Sequence, residues 1–121
     1  MPTTRAVRAP LAHAPHPAEV REFADSAPWR LVAEASVDVR VAPATRRVLD
    51  EGLAARVDAL TLGERIALAR LAGPRTRRAL LAAGDRPVLQ AMLSHPRLDT
   101  GERTLVLDRL RGRQPVPEAA S

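Results

Sequence analysis

The chain contains no cysteine, no lysine and no tyrosine, and it has one tryptophan and one phenylalanine. Without cysteine there is no disulfide, no thiolate metal site and no cysteine nucleophile. Without lysine there is no Schiff-base chemistry and no phosphate lysine of a P-loop. So few aromatic rings leave little on which nucleic-acid bases could stack. No apolar run approaches the roughly 18–20 residues needed to cross a bilayer. Arg5 and Arg8 are not followed by the apolar core of a secretory signal. The expected location is cytoplasmic, with no membrane partner.

What is present points to helices. Of 121 residues, 45% are hydrophobic, and these are mostly Ala and Leu, good helix formers and poor strand formers. The length suits one small domain with tails to subtract. All 19 basic residues are Arg, as a GC-rich genome would produce. Residues 1–60 hold eight Arg and eight acids, whereas residues 61–121 hold eleven Arg and six acids, so the net charge of +5 lies in the second half. A basic half can attract nucleic acid, anionic lipid or an acidic protein.

In order along the chain, residues 1–17 carry Pro2, Pro10, Pro15 and Pro17 among small polar residues, the composition of a disordered arm. His13 and His16 lie there without a third metal ligand nearby. Residues 18–42 read as a helical segment that Pro28 interrupts, followed by an extended linker. Trp29 either caps one end of the core or anchors a partner from an exposed position. Val37-Asp38-Val39-Arg40-Val41 alternates with the period of a strand; a linker lying on the helices is favoured over an edge strand that pairs with another molecule. From Pro43 the helical punctuation becomes regular, and residues 43–111 form the expected repeat domain. Pro43 opens a helix reaching about Leu60, and Gly52 weakens its middle. Gly73 stops one helix and Pro74 starts the next. Gly84 ends that helix, and Asp85 is placed to cap its successor. Residues 112–121 read as a loose tail.

One phrase occurs twice. Leu60-Thr61-Leu62-Gly63-Glu64-Arg65 is answered 38 residues later by Leu98-Asp99-Thr100-Gly101-Glu102-Arg103. In each copy the residue before the helix and the Glu three positions on form a capping box. A second echo, at a spacing of 22, relates Ile66, Ala69, Leu71, Pro74 and Arg75 to Val88, Ala91, Leu93, Pro96 and Arg97. Repeats of this length mark helical arrays in which each unit covers its neighbour's apolar face. The run from Leu60 to Leu107, with its Leu-Thr-x-Gly-Glu-Arg, Leu-Ala-Arg, Ala-Leu-Leu and His-Pro-Arg-Leu, resembles short bacterial helical repeats of the HEAT and leucine-rich-repeat-variant type. The resemblance implies a curved stack presenting a binding surface, and it carries over no catalytic residue. The fold expectation is all-α, a short HEAT-like stack or a compact helical bundle with disordered tails.

Catalytic signals are weak. Asp50 and Glu51 are sequence neighbours and so do not face each other on a helix. Ser26, Ser36 and Ser94 lack a nucleophile-elbow context, and His95 before Pro96 reads as a turn residue. No catalytic residue, metal site or cofactor is expected. Arg75, Arg77 and Arg78 follow Pro74 at a helix start, where cations oppose the macrodipole unless an anion binds. Of these, Arg77 falls near Leu80 and Leu81, where it can snorkel or pair with an acid. The expectation is a non-enzymatic scaffold or protein-interaction module, with a homodimer compatible with so small a core. The alternative is phosphate-backbone binding through Arg75, Arg78, Arg109, Arg111 and Arg113.

Overall fold

The computed structural model describes residues 16–112. The readings made for residues 1–15, including His13, and for residues 113–121, including Arg113, lie outside them. Seven α-helices are found among the described residues: α1 Pro17–Ser26, α2 Trp29–Ser36, α3 Pro43–Ala54, α4 Leu62–Ala69, α5 Pro74–Ala83, α6 Arg86–Met92 and α7 Thr100–Leu110. A 3-10 turn at Val57–Ala59 joins α3 to α4. The protein is all-α, with no strand among the described residues.

The starts and stops follow local chemistry. His16 caps α1, its Nδ1 accepting from the Ala18 N–H at 3.1 Å, and Pro17 fills the first turn. Pro28 separates α1 from α2. The helix begun at Pro43 stops at Ala54, earlier than its apolar stripe suggests. Past that stop, the Arg56 guanidinium donates to the carbonyls of Ala24 and Ala27 at 2.9 and 2.7 Å. It thereby satisfies acceptors that the end of α1 leaves open. Gly52 has a packing role as well as a propensity cost: a Cβ there would lie 2.6 Å from the Ala24 Cβ. The missing side chain lets α3 approach α1 closely.

The valine alternation does not form a strand. Asp38 Oδ1 accepts from the Arg40 N–H at 2.9 Å, and the Asp38 carbonyl accepts from the Val41 N–H at 3.0 Å. This Asx turn coils the segment, a known habit of aspartate in competition with extended backbone. Val41 turns into the core while Val37 and Val39 remain exposed, at 42% and 75%.

Helices α1 and α2 pack on α3, α3 on α5, α5 on α6, α4 on α6, and α6 on α7. The two segments related by the 22-residue echo, α4 and α6, thus lie against each other. One apolar core runs from Val20 to Val106, through Val32, Leu49, Leu53, Leu68, Leu80, Val88 and Met92. It is built from aliphatic side chains, with Phe23 and Trp29 packed against its margin. Among the described residues, no helix is long and apolar enough to cross a membrane.

Candidate binding cleft

The capping boxes are both present. Thr61 Oγ1 accepts from the Glu64 N–H at 3.1 Å, and the Glu64 carboxylate accepts from the Thr61 N–H at 2.9 Å. Those bonds, the Thr61 backbone N–H foremost, hold the Glu64 carboxyl below its ordinary range. Asp99 and Glu102 repeat the arrangement at 2.7 and 3.4 Å. The two glutamates differ in their long-range partners. Glu64 accepts from Trp29 Nε1 at 3.2 Å, which ties the half-buried indole to α4, while Arg30 lies 4.8 Å from the ring centroid. Glu102 accepts two bonds from the buried Arg77, Nε at 2.8 Å and Nη2 at 3.0 Å.

Helix α5 has a different cap. Asp50, on α3 and 3% exposed, directs its carboxylate at the first turn of α5. It accepts from the Arg75 N–H at 2.8 Å, the Thr76 N–H at 3.1 Å and the Thr76 hydroxyl at 2.7 Å. Gly73 makes room for it, since a Cβ there would fall 2.8 Å from the carboxylate carbon. The anion at this helix start, where three arginines oppose the macrodipole, is therefore internal. Arg75 Nε pairs with Glu51 at 3.2 Å, and Arg77 is committed to Glu102. Arg78 is exposed.

Arg109 and Arg111 are not brought to that end. The Arg109 guanidinium packs over Gly84, the left-handed residue that ends α5. There a cation complements the negative end of the macrodipole. A ten-residue helix is about 15 Å long, so Arg109 and Arg75 sit at opposite ends of α5. Arg111 is exposed and lies 3.9 Å from Asp108. Asp85 makes no side-chain cap for α6; its carboxylate is 3.3 Å from Arg65 Nε.

His95 is a buried core residue and not a surface turn. Its Nε2 is 2.8 Å from the Ala72 carbonyl and its Nδ1 accepts from the Arg97 N–H at 3.0 Å. These two bonds assign the neutral ring with its proton on Nε2. Burial, then the nearby Arg77 and Arg97 charges, push its pKa below the ordinary histidine value, against the Ala72 bond and Glu102. Arg77 Nη1 donates to the same Ala72 carbonyl at 2.8 Å. One carbonyl at the end of the α4–α5 connection thus gathers α5 and the segment after α6.

These groups line one side of a cleft of about 340 Å³. Ala72 to Pro74, Arg77 and His95 form its floor, Val37 and Val39 its apolar lip, and Arg46 and Arg97 its cationic rim. Among the described residues, no carboxylate lines it. Among the described residues, neither Arg46 nor Arg97 is in an ion pair, and the buried Arg46 Nε has no hydrogen-bond partner. Arg46 and Arg97 were not singled out from the sequence. Arg46 lies in the half where charges cancel in number, and its natural helix partner four residues on, Asp50, is spent on α5. No protein-family model, curated protein or solved structure matches the chain.

Proposed function

We propose that the protein is a non-enzymatic α-helical repeat module that docks a protein partner in the cleft between the turn after α2, the α4–α5 connection and the turn after α6. The observation that carries this reading is the cleft's division of labour. Its floor groups are consumed by internal hydrogen bonds, while its rim and lip present two guanidinium groups that form no ion pair with a described residue and two exposed valines. Groups poised for acid–base catalysis need a free proton-transfer position, and His95, Asp50, Thr76 and Glu102 all spend their polar atoms on structure. A concave surface with an apolar lip and a few convergent polar groups suits recognition.

The test uses the full chain as bait, beside an Arg46→Ala, Arg97→Ala double variant checked for unchanged helicity. A prey retained by the wild type and lost by the variant supports docking in the cleft. Equal retention by both would move the interface elsewhere. Generic duplex DNA bound steeply with salt, and released by Arg75→Glu with Arg78→Glu, would replace this reading with phosphate-backbone binding.

A further inference from the structure

Resting on that reading, we infer that the cleft takes an acidic peptide segment, with a carboxylate seated between Arg46 and Arg97 and an aliphatic neighbour lying on Val37 and Val39. Three hollows on the molecule can be compared. The one between α5 and α7 sets Asp99 and Glu102 beside Arg77 and Arg78, and the one between α1 and α3 sets Asp25 and Glu51 beside Arg21. Each supplies its own counter-charge. Among the described residues, the cleft beside Ala72 is lined by arginines and no acid.

Arg46 is held there at a cost. Its Nε is out of contact with solvent and without an acceptor, a state that buried donors rarely occupy. A carboxylate pairs strongly with a guanidinium, and Arg46 lines the cleft, so an incoming aspartate or glutamate supplies a counter-charge that the described residues do not. Arg97 is exposed, and its backbone N–H is fixed to His95, so its side chain is rooted at one place on the rim. Arg77 adds positive potential from below, partly offset by Glu102. Asp38, between the two lip valines, is engaged by Arg40 through Nε at 3.1 Å and Nη2 at 2.9 Å and does not line the cleft.

The lip separates a peptide from other anions. Val37 and Val39 offer apolar contact that a free phosphate cannot use and that a sugar-phosphate backbone matches poorly. The cleft also has no aromatic ring on which a base could stack. An acidic segment with interspersed aliphatic residues satisfies both the rim and the lip.

The experiment is selection of a random peptide library displayed on phage against the immobilised full chain. Counter-selection uses the Arg46→Ala, Arg97→Ala variant, and the selected peptides are then measured by fluorescence anisotropy. The expected peptides carry Asp or Glu next to Val, Ile or Leu. They lose at least tenfold in affinity on the double variant, and as much when the acid is replaced by its amide. Phosphoserine at the acid position binding much more tightly than the acid itself would assign the site to a phosphopeptide and overturn the inference as stated. Peptides that need the cleft but show no acidic enrichment would overturn it too, while leaving the docking reading intact. No enriched peptide, together with no cleft-dependent prey for the full chain, would end both. Circular dichroism of the variant, and an Arg78→Ala control with unchanged peptide affinity, separate loss of the site from loss of the fold.

Discussion

Two groups of arginines in this molecule look alike in sequence and differ in state. Arg75, Arg77 and Arg78 crowd the start of α5, and Arg46 and Arg97 flank the cleft. At the helix start an internal anion is in place: Asp50 fills the amide cradle, Glu51 meets Arg75 and Glu102 takes Arg77. At the cleft no acid arrives from the described residues. Arginine number therefore says little about binding. What decides is whether the chain returns a carboxylate to the same place, and that depends on contacts 25 and 26 residues apart.

The largest expected effect comes from making the first group resemble the second. Asp50→Ala removes the acceptor of three hydrogen bonds, two from buried donors and one from a part-buried donor, and should cost about 3–5 kcal/mol by urea denaturation. It also empties the cradle. Added phosphate should then raise the melting temperature of the variant and leave the wild type almost unmoved, as binding to the native state requires. An equal response in both would mean that Asp50 is not the anion of that helix start.

Glu102→Ala acts from the other side. It strands the buried Arg77 guanidinium and opens one capping box, and it should cost about 2–3 kcal/mol, the partial exposure of Glu102 reducing the full penalty. Because it strips the cleft floor of a neighbouring negative charge, it should also tighten an acidic peptide several-fold at low salt. Thr61→Ala, which removes a cap with no such tertiary partner, should cost about 1 kcal/mol. If the two substitutions cost the same, the Arg77 pair contributes nothing beyond its box.

The floor also has an acid response. The His95 pKa is lower folded than unfolded, so the unfolded chain takes up the proton more readily. Stability is then full above about pH 6.5, the ordinary histidine value. It is lost as pH falls below that value and through the folded pKa. Urea midpoints at pH 7 and pH 5 should show this slope in the wild type and a smaller one in His95→Gln. The smallest effect is expected at the neutralised surface, where Arg75→Ala with Arg78→Ala should change stability by less than about 1 kcal/mol.

How much of this was legible depended on distance along the chain. The boxes at Thr61–Glu64 and Asp99–Glu102 could be read because cap and partner are three residues apart, and their chemistry is local. The breaks at Pro28, Gly73 and Gly84 were legible for the same reason. Asp50 capping α5 was not, because α3 and α5 must first pack before the carboxylate meets the amides. The valine alternation misled because a single aspartate, Asp38, offers the backbone a turn. His95 looked like punctuation before Pro96, and it is also the buried link between Ala72 and Arg97. The cleft rim left no local mark, since Asp50, the acid four residues on from Arg46, is engaged by α5 only after the helices pack.

The most direct measurement compares the two arginine groups against one ligand. A selected acidic peptide would be titrated by anisotropy into the Arg46→Ala, Arg97→Ala variant and into the Arg75→Ala, Arg78→Ala variant. The expected result is a loss of at least tenfold in the first and an affinity within twofold of wild type in the second. The reverse order would contradict the account, because it would mean that the arginines at the start of α5, where Asp50 and Glu51 already supply negative charge, are the ones that bind.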